Sequence, residues 1–240
     1  MLRRSFLQRS LVAAPLIWSG EELAGSSVSA GVTPEIINAG VGGNNTVDLL
    51  SRMDGDCLAQ RPELTILMAG TNDVNSKKYV PLPDYERNLR TMVKKLLDVK
   101  SQVMLMTILP VYEPYLMTRH DPAFYQPDGH AARKMAMNDT IQKVAADNRL
   151  PLLDMHHIFN TVGNIGLDAS SLLKNEANSN KTDGVHPTPD GYRTMAVVIY
   201  TFLVQNKLLK NRIVCFGDSI TKGDDQGRNY PAYLQQLVTV

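Results

Sequence analysis

Residues 212–223 read RIVCFGDSITKG, and they lie almost at the end of a chain of 240 residues. The apolar run Ile213–Phe216 predicts a buried β-strand, and the Gly-Asp-Ser after it predicts a tight turn that presents Ser219 at the start of a helix. In α/β enzymes such a turn usually comes near the start of the domain. Its late position here raises the question of where this strand joins the sheet.

The rest of the chain alternates between apolar runs and segments with helical spacing. Five runs are strand candidates: EIINAG (35–40), LTILMAG (64–70), QVMLMTIL (102–109), LPLLDM (150–155) and RIVCFG (212–217). Continuous apolar strands separated by amphipathic helices are typical of a parallel sheet covered on both faces. The sequence therefore predicts a three-layer α/β sandwich with a five-stranded parallel sheet, whose ligand site lies at the carboxyl ends of the strands.

Composition and charge exclude several classes of function. The formal net charge is +1 with acids and bases scattered, so the sequence offers no basic face for nucleic acid. The two cysteines, Cys57 and Cys215, give neither a disulfide framework nor a metal-ligand spacing. No metal or cofactor is expected. The longest irregular stretch, Pro110–His130, is rich in aromatic residues and is a candidate wall of the site.

The first 30 residues have the features of an export signal. They begin MLRRSFLQ, with Arg3 and Arg4 paired, and continue into an apolar stretch that is too short to span a bilayer. This pattern is typical of a twin-arginine signal, which predicts a periplasmic or extracellular protein whose domain comprises residues 31–240. The alternative is an amphipathic N-terminal helix that packs on the domain. No later segment predicts stable membrane insertion, and the oligomeric state stays open.

Four short stretches carry residues suited to acyl transfer: FGDSIT, NAGVGGNNT, MAGTNDV and TDGVHPTPDGY. Acyl transfer needs a hydroxyl nucleophile, an imidazole base and an acid that orients the base. Ser219, His186 and Asp183 can fill these three roles. The oxyanion that develops needs rigid donors. The candidate donors are the backbone N–H of Ser219, a backbone N–H of the Gly42–Gly43 turn, and the side-chain amide of Asn72.

Together these stretches resemble the blocks of the SGNH (GDSL) esterase/lipase superfamily. GDSIT resembles the first block with its nucleophile at Ser219, NAGVGGNNT the second with Gly43, GTND the third with Asn72, and DGVHP the last with Asp183 and His186. The resemblance implies a flavodoxin-like fold and a serine esterase that hydrolyses carboxylic esters through an acyl-enzyme. It also implies a small ester or acylated carbohydrate as substrate, with short acyl groups such as acetyl, and no cofactor.

The order of the blocks departs from the family, in which the serine block comes first. Here it comes last, which predicts a circularly permuted domain with strand order 1-5-2-3-4 along this chain. The rival interpretation is a truncated second domain that begins at the serine block. The absence of any other Gly-Asp-Ser favours permutation.

Each candidate residue also has a structural interpretation. Ser219 could cap a helix, Asp183 could stabilise a turn, Asn72 could fix a loop, and Gly43 could serve only to adopt a positive φ. The glycine-rich NAGVGGNN could instead cradle a phosphate, but it lacks the Gly-Lys-Ser/Thr of such loops. A non-catalytic carbohydrate-binding or scaffold domain that keeps the fold is the alternative function, and it predicts a damaged Ser-His-Asp set.

Overall fold

The computed structural model describes residues 33–239, and within them five parallel strands form one sheet in the order β1-β5-β2-β3-β4. The strands are β1 (Glu35–Gly40), β2 (Leu64–Met68), β3 (Gln102–Met106), β4 (Leu152–Leu153) and β5 (Arg212–Gly217). The α/β class, the five-stranded parallel sheet and the order 1-5-2-3-4 expected from the sequence are confirmed. The predicted export signal, residues 1–30, lies outside the described residues.

The helices connect successive strands and cover both faces of the sheet. They are α1 (Thr46–Asp56), α2 (Leu82–Asp98), α3 (Glu113–Leu116), α4 (Gly129–Asp147), α5 (Met155–Val162), α6 (Glu176–Ser179), α7 (Pro189–Gln205), α8 (Ser219–Lys222) and α9 (Tyr230–Val238). The stretch 110–130, expected to be irregular, contains α3 and a 3₁₀ turn at Pro122–Tyr125. The strand expected at 150–155 shortens to two residues because only Leu152 and Leu153 pair with β3, and α5 already begins at Met155.

The last strand, β5, lies between the first two. It pairs in parallel with β1 over its whole length on one side and with β2 on the other. Ile213 and Cys215 point to one face of the sheet, and Val214 and Phe216 point to the other. The first pair is fully buried in one core and the second pair in the other. A strand buried on both faces and paired on both edges explains why RIVCFG is continuously apolar.

Two hydrophobic cores fill the space between the sheet and its helices. One core is made with helices α1, α2 and α4, and includes Leu49, Leu89, Met92, Ile141 and Phe216. The other is made with α5, α7 and α9, and includes Phe159, Met195, Ile199, Cys215 and Leu234. The two cores establish the three layers of the sandwich. No helix between residues 33 and 239 is both long enough and apolar enough to cross a membrane.

The two ends of the described chain lie side by side. The Gln235 side chain, on α9, accepts a hydrogen bond from the backbone N–H of Ile36 (2.8 Å) and donates one to the carbonyl of Pro34 (3.0 Å). Helix α9 therefore packs against the start of β1. The two cysteines, Cys57 and Cys215, are buried and free, without a disulfide between them.

Gly40, the last residue of β1, permits the close approach of the serine turn. A Cβ at Gly40 would lie 2.1 Å from the backbone nitrogen of Lys222, a separation that real Cβ atoms do not show. Helix α8 begins at Ser219 and ends at Lys222, so an additional methyl group at Gly40 would push the serine turn away from β1.

We therefore expect Gly40→Ala to lower the free energy of unfolding by about 1–3 kcal/mol, the usual cost of overpacking a tight contact. Chemical denaturation of the full chain measures this. The matched control is Gly55→Ala in α1, where no atom lies within 4 Å of the added Cβ. That change should be neutral or stabilising by up to about 1 kcal/mol, since alanine is the better helix former. Equal stability of Gly40→Ala and the wild type would contradict the packing described.

Candidate active site

The carboxyl ends of β1, β5 and β2 lie level with one another. Gly217, the last residue of β5, pairs with the last residue of β1 on one side and of β2 on the other. The loops that follow these three strands therefore emerge side by side, which is the position expected for a ligand site in a parallel sheet. They contribute Ser219, Gly43 and Asn72 to the lining of one cavity.

Ser219 is held at the start of the one-turn helix α8. The Asp218 carboxylate accepts a hydrogen bond from the backbone N–H of Ile220 (2.9 Å), and the carbonyl of Ser219 accepts one from Gly223 (3.0 Å). The Ser219 side chain is left half-buried and faces the cavity. The local structure thus presents a serine hydroxyl on a rigid turn.

Ser219, His186 and Asp183 form one hydrogen-bonded chain. The Oγ of Ser219 lies 3.0 Å from Nε2 of His186, and Nδ1 of His186 lies 2.9 Å from Oδ2 of Asp183. Because an ionised carboxylate only accepts hydrogen bonds, Nδ1 carries the imidazole proton in this arrangement. Nε2 is then the acceptor for the hydroxyl proton of Ser219. The structure therefore brings together the three side chains that the sequence predicted.

Asp183 is fixed by its own turn and stays ionised. Burial disfavours the charged form, but hydrogen bonds from the His186 ring and from the backbone N–H groups of Val185 and His186 outweigh it and hold the Asp183 pKa below its usual range. The negative charge of Asp183 is therefore available over the whole working pH range to orient the imidazole and to stabilise its protonated form.

The loop that carries Asp183 and His186 is anchored on two sides. The Lys174 backbone donates to the carbonyl of His186 (2.9 Å) and accepts from Gly184 (2.9 Å), which forms a short antiparallel pairing. Arg119 donates from its guanidinium to the backbone carbonyls of Thr182 and Asp183. These contacts hold the imidazole in place although its loop is not attached to the sheet.

The predicted oxyanion donors lie around the same cavity. Asn72 donates one amide hydrogen to the carbonyl of Asn44 (2.9 Å), and its Oδ1 accepts from Asn75 (3.2 Å), so its side chain has a fixed orientation. Gly43 has φ +76°, a conformation that favours glycine, and it lines the cavity. Gly42 is not part of that lining, and its added Cβ would lie 4.0 Å from the Cβ of Ser219.

The cavity has a volume of about 240 Å³ and a mixed lining. Besides Ser219, His186, Asn72 and Gly43, it is lined by Thr71, Val74, Asn75, Ile108, Leu109, Val111, Leu116, Arg119, His120, His130, Lys134 and Val185. The apolar members come mainly from the segment after β3 and from α3. A small acyl group and a polar alcohol can both find matching surfaces in such a cavity.

Sequence reasoning missed the basic side chains of this cavity. None of the four stretches that predict the catalytic residues contains His120, His130 or Lys134. The structure places all three in the lining. His120 lies 2.8 Å from the Ser76 hydroxyl, and His130 lies 3.0 Å from Glu113. A signal was available at Lys134, a charged residue within the inward-facing stripe of α4 that also contains Met137 and Ile141.

A second carboxyl group, Asp218, is completely buried beside the serine. Its Oδ2 and the hydroxyl of the nearby Thr71 are both buried, and the interaction of this hydroxyl with the carboxylate favours the charged form of Asp218. Burial raises the Asp218 pKa to about 6, although the backbone N–H of Ile220 favours the charged form. Asp73 is likewise buried with a pKa of about 6, and its carboxylate accepts from the backbone N–H of Thr46 at 2.9 Å. Neither carboxyl group contacts His186 through a hydrogen bond.

Among the residues from 33 to 239, no three His, Cys, Asp or Glu side chains are grouped so that they could hold a metal ion.

The chain is similar in sequence and in fold to several known proteins. The GDSL-like Lipase/Acylhydrolase family matches residues 18–194. An uncharacterized lipoprotein, YqeF, of Bacillus subtilis is 27% identical over 189 residues, which cover 73% of this chain and 74% of the relative. An acetylxylan esterase of Geobacillus stearothermophilus is 34% identical over 80 residues, which cover 30% of this chain and 36% of the esterase. The crystal structure of a lipase/acylhydrolase from Enterococcus faecalis superposes with a TM-score of 0.52 at 20% identity, over 68% of this chain and 72% of that one.

The buried charge of Asp218 predicts a pH-dependent stability. Because the folded pKa of about 6 lies above the ordinary 3.8, the folded protein retains this proton to higher pH than the unfolded chain. Stability is therefore lost as the pH rises from about 4 to 6. We expect Asp218→Asn, which keeps the helix cap but removes the charge, to raise the free energy of unfolding at pH 7 by about 1–3 kcal/mol and to change it little at pH 4.

Denaturant unfolding at a series of pH values gives this difference directly. The matched control is Asp225→Asn, an exposed carboxyl in the following loop, which should follow the wild-type profile within about 0.5 kcal/mol. A difference between Asp218→Asn and the wild type that does not grow with pH would show that the raised pKa is wrong.

Proposed function

Since this chain belongs to the GDSL-like lipase/acylhydrolase family and is a carboxylic-ester hydrolase, we propose that Ser219 is its nucleophile, His186 its general base and Asp183 the group that orients the base. The observation that supports this most strongly is the unbroken hydrogen-bonded chain from the Ser219 hydroxyl through both nitrogens of His186 to the Asp183 carboxylate. The alternative of a non-catalytic domain requires a damaged set, whereas here all three side chains are present and in contact.

In the proposed first half-reaction, Ser219 attacks the carbonyl carbon of the ester while its proton moves to Nε2 of His186. The carbonyl oxygen becomes an anion that accepts hydrogen bonds from the backbone N–H of Ser219, the backbone N–H of Gly43 and the side-chain amide of Asn72. His186 then gives its proton to the oxygen of the leaving alcohol. The acyl group remains bonded to Ser219.

In the second half-reaction, water attacks the acyl-enzyme. His186 takes a proton from the water and returns it to the Ser219 oxygen as the carboxylic acid leaves. Throughout, the ionised Asp183 holds the Nδ1 proton and stabilises the imidazolium that forms in each half-reaction. This proposal assigns no role to a metal or a cofactor.

The proposed substrate is a short acyl ester, and in particular an acetyl group on a carbohydrate. Two observations support this choice. The cavity of about 240 Å³ is shared between the acyl group and the alcohol, which favours short acyl chains. The 80-residue match to an acetylxylan esterase also points to acetylated sugars, although this chain spans about a third of that enzyme's length.

We also propose that the protein is exported through the signal in residues 1–30. The paired Arg3 and Arg4 and the apolar stretch after them support this, as does the similarity to a protein named as a lipoprotein. Replacing both arginines by lysine should leave the protein in the cytoplasm, measured by immunoblotting of cell fractions. Unchanged export of the double variant would argue against the twin-arginine route.

We further propose that the domain is a circular permutation of the usual family order. The family match ends at residue 194, before the serine block begins, as expected if that block is displaced in the chain. In the structure β5 lies between β1 and β2, and Gln235 contacts Pro34, so that the two ends of the described part of the chain are neighbours in space. Neighbouring ends are what permutation requires, because the original connection must have joined them.

Turnover of p-nitrophenyl esters by the full chain tests the function. We expect hydrolysis of the acetate and butyrate, slower hydrolysis of the octanoate, and a loss of at least about 10³-fold in kcat for Ser219→Ala. The matched control is Ser51→Ala, an exposed serine on α1, which should retain wild-type kinetics. A folded Ser219→Ala protein that still turns over these esters would falsify the assignment of the nucleophile.

A further inference from the structure

Lys134 is a buried amine on the wall of the active-site cavity. It lies on α4, one helical turn from His130 and one from Asn138, which binds the backbone N–H of Ile108 at 2.9 Å. This hydrogen bond fixes the face of α4 that points at the segment after β3. Only 6% of Lys134 is exposed, and it lines the same cavity as Ser219.

The ammonium group of Lys134 has no hydrogen-bond or ion-pair partner among residues 33–239. The nearest opposite charge is the carboxylate of Glu113, but Glu113 is hydrogen-bonded to His130 at 3.0 Å instead. A buried cation without a partner is costly, and proteins seldom keep one unless it has a role. Burial lowers the Lys134 pKa to about 8, partly offset by Glu113, so that the amine is still protonated at pH 7.

The charges around the cavity favour an anion as the missing partner. Its lining includes the cations Lys134 and Arg119 but no aspartate or glutamate within the part of the chain that the structure describes. Asp183 lies behind His186, to which it is bonded, and Glu113 is not part of the lining. An anionic group that enters the cavity would therefore meet two positive charges and no facing carboxylate.

We propose that Lys134 binds a carboxylate of the substrate, so that this enzyme prefers esters that carry a negatively charged group beside the ester that Ser219 attacks. The proposal rests on the esterase function proposed above and deepens it to a substrate class. The carboxylate could belong to the acyl part, as in the half-ester of a dicarboxylic acid, or to the alcohol part, as in an acetylated acidic sugar. In either case a carboxylate enters the cavity. The test has one arm for a carboxylate on the acyl part and one for a carboxylate on the alcohol part.

Turnover is measured with two matched pairs of substrates, using the full chain. The acyl arm compares ethyl hydrogen succinate with ethyl isocaproate, a neutral ester of the same shape. The alcohol arm compares acetylated methyl glucuronoside with acetylated methyl glucoside. We expect kcat/KM to favour the charged member of at least one pair by about tenfold, the effect of one charge-assisted hydrogen bond.

Lys134→Met keeps the length of the side chain but removes the charge. In this variant the ratio of kcat/KM for the charged substrate to kcat/KM for its neutral counterpart should fall to about one. The control is Lys143→Met on the same helix, whose ammonium is exposed and pairs with Glu86 at 3.1 Å, and it should keep the wild-type ratio. A wild-type enzyme that hydrolyses neutral esters but shows no preference in either arm would overturn the Lys134 proposal and leave the esterase function standing.

A binding measurement decides the proposal independently of turnover. The Ser219→Ala protein retains Lys134, so calorimetry can compare its affinity for ethyl hydrogen succinate and methyl glucuronoside with its affinity for their neutral counterparts. Tighter binding of a charged ligand, lost when Lys134→Met is added, supports the proposal even if no ester is hydrolysed. Equal affinity for charged and neutral ligands would overturn it.

Discussion

The parallel pairing of β5 with β1 on one edge and with β2 on the other is the constraint on which the rest of the structure depends. Without β5, β1 would have no neighbour in the sheet, and both cores would lose their central strand. The register also places Gly217 level with the ends of both neighbouring strands. Ser219, two residues later, is therefore set between the loops that carry Gly43 and Asn72.

In this arrangement the site residues come from parts of the chain that are far apart in sequence. Gly43 and Asn72 follow early strands, His186 comes from a loop that is anchored to Lys174 and Arg119, and Ser219 arrives with the last strand. Their geometry is therefore complete only when β5 occupies the gap between its neighbours. Long-range pairing of this kind is slow to form, so the site is expected to assemble late in folding.

Much of this architecture could be predicted from the sequence, because buried parallel strands leave apolar runs and the four blocks keep their local context. The strand order followed from the resemblance to the family. The proximity of Ser219, His186 and Asp183 followed from that resemblance and from the local context of the blocks. Lys134 could not be predicted in the same way. Its place in the stripe of α4 with Met137 and Ile141 indicates an inward side chain, but the cavity that it lines depends on how α4 packs on Ile108 through Asn138, which no local pattern encodes.

The most direct test of the account is to restore the usual order of the blocks. A chain in which residues 211–239 precede residue 33 through a glycine-serine linker of about six residues, and which ends at residue 206, should rebuild the same sheet. Because Gln235 already contacts Pro34, we expect this protein to fold and to hydrolyse esters with the same dependence on Ser219. A reordered chain that is folded but inactive, or that cannot fold, would contradict the placement of β5 and the origin proposed for it.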